Sequence, residues 1–170
     1  KPVIDGVASF LDLDVKEGTV VDQKFPYSTS NINQRFILSN AGIDLSTLEV
    51  YVRPSATSSL LSSYTRQDSL FDAVTGSSIT KDSLIYYIQE IEDEQYELIF
   101  GDGIFGKELS DGNIVEVSYI LTNGSDANGI SNLSFAGKCT YTRNAVENTI
   151  TSGISLVTAN IPSSGGDQIE

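Results

Sequence analysis

The sequence contains no histidine, no methionine and no tryptophan, and it has one cysteine among its 170 residues. Without histidine, the Ser-His-Asp and Cys-His arrangements of nucleophilic enzymes and the histidine-containing zinc sites are excluded within this chain. Cys139 has no second cysteine to pair with, so the fold does not depend on an internal disulfide. The missing methionine predicts that the chain is a piece of a longer polypeptide.

Basic residues are also scarce, because 10 Lys and Arg stand against 23 Asp and Glu, a formal net charge of -13. Nucleic-acid affinity rests largely on basic side chains that neutralise phosphates, so DNA and RNA are not expected partners. Anionic membranes are unfavourable for the same reason, and no apolar run approaches the roughly 20 residues of a membrane span. No basic-then-apolar signal segment is recognisable either. We therefore expect a soluble protein with no nucleic-acid and no membrane partner.

Short apolar runs separated by serine, asparagine, aspartate and glycine are typical of a mainly β protein with little helix. Alternation of apolar and polar residues predicts strands at 10–15, 47–52, 84–91, 95–100 and 113–121. The acidic residues 92–94 are predicted to form the tip of a hairpin between two of these strands. Segment 58–74 is rich in serine and is predicted to be irregular or partly extended. The expected architecture is antiparallel sheets arranged as a sandwich or a partly open barrel.

The stretch FGDGIFGKEL, residues 100–109, resembles a nucleotide-binding loop. It fits G-x-G-x-x-G with Gly101, Gly103 and Gly106, and with Lys107 it fits seven of the eight positions of G-x-x-x-x-G-K-[ST]. A phosphate loop requires a helix directly after the glycines, but here a second turn and a strand follow. Asp102 and Glu108 would also repel a nucleotide. The pattern therefore predicts a structural loop, with glycines at positive φ and in close packing, Asp102 bonded to its own turn, and Lys107 in solvent.

A calcium site is the rival interpretation of this region, because Asp102, Asp111 and Asn113 lie on neighbouring turns and calcium prefers several oxygen ligands. Their spacing matches no EF-hand loop, and acidic turns are commonly just solvated. No metal and no cofactor is therefore predicted, with calcium kept as the alternative.

The succession from Gln95 to Ile130 resembles the signature of the baseplate J-like family of contractile-tailed phages and related injection machines. Residues 33–52 are similar to the corresponding part of baseplate wedge proteins from T4-like myoviruses. Many family members carry proline before the turn glycine, where Glu-Leu-Ser-Asp stands at 108–111 in this chain. The matching positions are Phe100, Gly101, Asp102, Gly103, Gly106, Gly112, Val115, Val117, Tyr119, Gly124, Asn128 and Gly129.

The resemblance implies a structural component of a phage tail baseplate wedge, without catalytic residues and not an enzyme. Such a protein forms the inner baseplate ring through contacts with other copies of itself and with other wedge subunits. It is synthesised in the host cytoplasm and ends in the virion, at the tail baseplate. Residues 1–162 would be a β-rich wedge segment, either undivided or with two sub-sheets that divide near 55–62. Residues 163–170 would be a linker toward a following domain.

Two further functions remain open from the sequence. One is a glycan-binding β domain of a tail fibre or adhesin, with or without calcium, in which some of the eight tyrosines stack on sugars. The other is a hydrolase that uses two of the 23 acidic residues as an acid/base pair. The sequence favours no particular pair for that role.

Overall fold

The computed structural model describes residues 3–4, 7–11, 13–69, 78–157 and 162–166. The chain divides into two units, Lys1–Thr122 and Asn123–Glu170. The described residues contain no α-helix, only short 3-10 turns at Glu92–Glu94 and Gly124–Ala127. The predicted mainly β fold with little helix is confirmed. In the described part of the chain, no helix has the length and apolar character needed to cross a membrane.

Within its described residues, the first unit contains nine strands. Seven of them form one sheet in the order β3-β9-β5-β6-β7-β8-β4, while β1 and β2 pair with each other. Neighbouring strands of the large sheet are antiparallel except for β6 and β7, which are parallel. The strands are β1 (Val3–Ile4), β2 (Val7–Ala8), β3 (Thr19–Pro26), β4 (Phe36–Leu38), β5 (Ile43–Arg53), β6 (Ser62–Arg66), β7 (Ile85–Ile91), β8 (Gln95–Phe100) and β9 (Ile114–Leu121).

The large sheet is nearly closed and barrel-like, as one of the two predicted arrangements requires. Its edge strands β3 and β4 approach each other through the rings of Phe25 and Phe36, whose centroids are 5.9 Å apart in an edge-to-face arrangement. Strand β9 pairs with β3 on one side and β5 on the other, so alternate residues point into the core. Val115, Val117 and Tyr119 are accordingly buried. Each such side chain stabilises the fold by roughly 1.5–3 kcal/mol.

Most of the strands predicted from alternation are confirmed. The prediction at 113–121 corresponds to β9, the prediction at 47–52 lies within β5, and 84–91 and 95–100 correspond to β7 and β8. Residues 92–94 form the acidic hairpin tip, where Asp93 and Glu94 adopt positive φ. In the serine-rich segment, β6 is extended and its neighbours are irregular, as predicted, while residues 70–74 lie outside the described residues.

The predicted strand at 10–15 is wrong. The described residues 10–11 and 13–17 are in no strand, and the apolar side chains of Leu11, Leu13 and Val15 are exposed, whereas the prediction placed them against a core. Alternation marks a surface suited to one-sided burial, but a strand also needs a neighbour that supplies backbone hydrogen bonds. The intervening Asp12 lies outside the described residues. Strands β3 and β4, which contribute to the sheet, were not predicted.

The second unit contains a two-stranded antiparallel sheet, β10 (Cys139–Arg143) and β11 (Val146–Ile150). Ser163 bonds back to the start of this unit, because its N–H donates to the Ile130 carbonyl at 2.9 Å and its carbonyl accepts from the Gly129 N–H at 2.9 Å. A linker role for residues 163–170 and a division near 55–62 remain predictions.

Candidate functional site

The glycine loop, residues 100–107, leaves the end of β8 and turns back on itself. Asp102 fixes this turn, because its Oδ1 accepts hydrogen bonds from the N–H groups of Ile104 at 2.9 Å and Phe105 at 2.8 Å. The bond from Phe105 is the main cause that lowers the pKa of Asp102 below its ordinary value, with the bond from Ile104 next. The carboxylate therefore caps its own turn, as the sequence predicts.

Two glycines bring the loop backbone into contact with itself and with β7. A Cβ placed on Gly101 would lie 2.1 Å from the carbonyl carbon of Gly106, a distance that no real side chain tolerates. Gly106 adopts a φ of +98°, and a Cβ there would lie 2.8 Å from Cγ1 of Ile85. Glycine is required at both positions by the close approach, and at Gly106 also by the left-handed backbone.

The backbone N–H groups of this loop are already used by protein acceptors. Besides the two bonds to Asp102, Gly103 donates to the Gly106 carbonyl at 3.1 Å. Gly106 and Lys107 donate to the carbonyls of Thr80 at 3.1 Å and Ser83 at 2.8 Å. Five successive N–H groups, those of residues 103–107, are therefore unavailable to a phosphate, and the next regular element is β9 and not a helix. The arrangement is a rigid connector in which Lys107 is exposed.

Three other residues of the sequence motif make packing or hydrogen-bond contacts within the first unit: Phe100, Gly112 and Tyr119. The ring of Phe100 packs edge-on against Phe36 and Tyr64, with centroid distances of 5.3 and 5.5 Å. Tyr119 is 1% exposed and its hydroxyl donates to Oδ1 of Asn40 at 2.6 Å. Burial raises the pKa of the Tyr119 hydroxyl. Gly112, at a φ of +81°, donates its N–H to the carbonyl of Tyr27 at 3.0 Å.

The last two residues of the sequence motif, Asn128 and Gly129, belong to the second unit, whereas the glycine loop belongs to the first. Oδ1 of Asn128 accepts from the Gly166 N–H at 3.1 Å, and Gly129 adopts a φ of +88°. Both residues organise a local turn of the second unit. The motif is therefore divided between the two units, which its contiguity in sequence did not predict.

The three candidate calcium ligands make separate hydrogen bonds. Asp102 is engaged by its own turn, while Oδ1 of Asp111 accepts from the Thr29 N–H at 2.9 Å and the Ser28 hydroxyl at 3.1 Å. Oδ1 of Asn113 accepts from the Ser110 N–H at 2.9 Å. The backbone bond from Thr29 is the main cause that lowers the pKa of Asp111. In the described ranges, no group of three or more Asp, Glu, Cys or His is placed to hold a metal ion.

Two acidic side chains on the sheet are held by arginine. Arg35 binds Glu97 through two parallel bonds of 2.8 and 2.6 Å, and Arg53 donates to Glu116 at 2.8 Å. These hydrogen bonds are the main causes that lower the pKa values of Glu97 and Glu116. A glycosidase acid needs the opposite shift, so that it is protonated near neutral pH. Five carboxyl groups have pKa values that are shifted downward, the direction opposite to that of such an acid: Asp44, Glu97, Asp102, Asp111 and Glu116.

Three of the tyrosines considered for sugar stacking lie in the core. Tyr64, Tyr86 and Tyr119 are buried, so their ring faces are covered by other side chains. Tyr141 is 48% exposed in the second unit. A glycan would therefore have to use tyrosines outside the sheet interior.

The loop tip presents two large apolar side chains that sequence reasoning missed. Ile104 is 67% exposed and Phe105 is 47% exposed, although the backbone beneath them is fixed by Asp102 and the paired glycines. A pair of large apolar residues between turn glycines was the available signal. We name Ile104 and Phe105 the loop tip.

No model of a known protein family matches this chain, and no curated protein matches it either.

Proposed function

We propose that this chain is a structural component of a contractile-tail baseplate wedge that forms the inner baseplate ring. It does so by self-association and by contacts with other wedge subunits. The observation that carries the proposal is the glycine loop, which resembles the baseplate J-like signature and combines a fixed backbone with an exposed apolar tip. Because the N–H groups of the loop already donate to protein acceptors, they support a structural role over phosphate binding.

A loop of this construction is suited to protein–protein contact. Exposed Ile104 and Phe105 supply apolar and aromatic area, and buried aromatic side chains dominate binding energy in many interfaces. Because the loop backbone is already fixed, association orders little additional chain and loses little conformational entropy. The surrounding sheet contributes a rigid base through the packing of Phe100 against Phe36 and Tyr64.

Location is the direct test of this proposal. Particles from the source are labelled with an antibody raised against this chain and viewed by electron microscopy. Label at the tail baseplate is expected. Label on distal fibres would contradict the proposal and favour the glycan-binding alternative, and particles without label would contradict it as well.

A paired variant tests the loop tip. The double substitution Ile104→Ser and Phe105→Ser removes the exposed apolar area without touching a loop hydrogen bond, since both N–H groups remain. We expect the purified variant to keep its fold but to be incorporated into baseplates far less than the unaltered protein. Leu60→Ser is the control, because Leu60 is 65% exposed in a different loop of the same unit. Equal incorporation of both variants would contradict a contact role for the loop tip.

A further inference from the structure

The β10–β11 hairpin has one apolar face and leaves it open. The register places Tyr141 opposite Asn148, and with them on one face stand Cys139, Arg143, Val146 and Ile150. Threonines and Glu147 occupy the other face. Tyr141 is 48% exposed, Val146 60% and Ile150 39%. These three apolar side chains, which a hairpin would normally bury, are thus exposed.

The second unit as a whole lacks buried side chains among its described residues, 123–157 and 162–166. An isolated two-stranded hairpin is marginally stable at best in water. Nine large apolar side chains of this unit are each at least 39% exposed. They are Ile130, Leu133, Phe135, Tyr141, Val146, Ile150, Ile154, Leu156 and Val157.

The hairpin turn determines which backbone groups of β11 are free. Asn144 and Ala145 have φ values of 54° and 60°, as a two-residue type I′ turn requires. Arg143 and Val146, which close this turn, are then a hydrogen-bonded pair, and the pairing alternates along the ladder. The N–H and C=O groups of Glu147 and Thr149 consequently point away from β10, toward the edge of the sheet where no described strand pairs with β11.

Strand β11 is self-complementary in an antiparallel arrangement. If two copies pair about a two-fold axis at Asn148, Val146 of one copy stands opposite Ile150 of the other, which is an apolar cross-strand pair. Glu147 stands opposite Thr149, so no like charges face each other. Because Glu147 and Thr149 carry the outward backbone groups, this register also forms hydrogen bonds on both sides of the axis.

The charge distribution favours contact between two copies through their second units, because electrostatic repulsion is smallest there. Residues 1–122 carry 8 basic and 19 acidic residues, a formal charge of -11. Residues 123–170 carry 2 basic and 4 acidic residues, a formal charge of -2. Like net charges oppose the approach of two first units, and this opposition is small between two second units.

We propose that β11 pairs with β11 of a second copy of this chain, forming a four-stranded antiparallel sheet in which Tyr141, Val146 and Ile150 of both copies share one face. The inference rests on the self-association in the proposed function and names its surface. Three or more strands with an apolar face are the minimum for independent stability, and pairing raises the number of strands in the sheet from two to four.

A cross-linking experiment on the full chain tests the register. In the Cys139→Ser background, Asn148→Cys places one thiol on each side of the two-fold axis, in a non-hydrogen-bonded pair whose Cα atoms stand about 4.5 Å apart. Mild oxidation should convert most of this variant into a covalent dimer. The control is Glu147→Cys in the same background, because its counterpart is two positions away along the strand and should not cross-link. Equal cross-linking of both variants, or none of Asn148→Cys, overturns the proposal.

Sedimentation of proline variants tests which edge pairs. Thr149→Pro removes an outward N–H of β11, and Thr140→Pro removes the equivalent outward N–H of β10, so neither removes a hairpin hydrogen bond. We expect the unaltered chain to be a dimer, Thr149→Pro to dissociate at least tenfold more readily, and Thr140→Pro to behave as the unaltered chain. A monomeric unaltered chain, or a dimer that only Thr140→Pro weakens, overturns the proposal. If Thr149→Pro loses the hairpin altogether, the cross-linking result decides.

These outcomes separate the inference from the proposed function. A dimer that forms through β11 while antibody label is missing from baseplates contradicts the baseplate role alone. Labelled baseplates built from a chain that cross-links at neither position contradict only the β11 interface.

Discussion

Replacing Gly101 by alanine should destabilise the first unit by about 2–3 kcal/mol. The new Cβ would lie 2.1 Å from the carbonyl carbon of Gly106, more than 1 Å inside the 3.4 Å at which ordinary contact begins. Because the obstacle is backbone, the loop must move. That movement breaks or lengthens the hydrogen bonds Gly103 to Gly106, Gly106 to Thr80 and Lys107 to Ser83. Each such bond contributes about 1 kcal/mol net, which gives the expected loss.

The matched control is Gly112→Ala. Gly112 has a φ of +81° and no atom within 4 Å of its added Cβ, so only the left-handed backbone opposes alanine, at about 1–2 kcal/mol. Urea unfolding followed by far-ultraviolet circular dichroism measures both losses, provided that the slope m is unchanged. If Gly101→Ala costs no more than Gly112→Ala, the close approach of Gly101 and Gly106 does not fix the loop, and the argument for a rigid connector fails.

Three further predictions concern single contacts. Ala145→Gly should stabilise the hairpin by about 1 kcal/mol, since glycine adopts positive φ without the cost that alanine bears, and unchanged amide exchange would contradict the type I′ turn. Tyr119→Phe should cost about 1–2 kcal/mol in urea unfolding, because it removes the bond to Asn40, and a loss below about 0.5 kcal/mol would contradict that bond. Arg35 lowers the pKa of Glu97 in the folded state. The stability that this ion pair contributes is therefore present above the unfolded pKa of Glu97 and is lost as the pH falls through the folded pKa. Glu97→Gln should therefore flatten the decline of thermal stability in acid, measured between about pH 5 and 2, and an unchanged decline would contradict the assignment.

Local turn chemistry was the most predictable part of the candidate site. Glycines between two strands, with an aspartate between them, predict positive φ and a carboxylate bonded to its own turn, and both are observed at Gly103, Gly106 and Asp102. These features depend on residues within a few positions of one another. The contact between Gly106 and Ile85 was not predictable, because it depends on how β7 and β8 pair and not on the loop sequence.

Strand pairing over long sequence distances was the least predictable part of the fold. Strand β3 pairs with β9 along its whole length, from Thr19 opposite Leu121 to Pro26 opposite Ile114, although roughly ninety residues separate them. The segment TVVDQKFP shows no clean alternation, and it forms a strand because β9 supplies its backbone hydrogen bonds. No local pattern contains that neighbour.

The same dependence on a neighbour explains opposite errors at the two ends of the chain. Leu11, Leu13 and Val15 alternate as a strand should, yet the described residues around them have no partner strand and remain outside the sheet. Residues 139–150 were not predicted as strands, yet Cys139–Arg143 and Val146–Ile150 pair because a two-residue turn brings them together. The hydrophobic pattern therefore determines which face of a segment is suited to burial, whereas strand pairing depends on which other segment the fold brings alongside it. In the described part of the second unit, β11 has a neighbour on one side only and its large apolar side chains are exposed, which is the physical reason to look for β11 in an interface between copies.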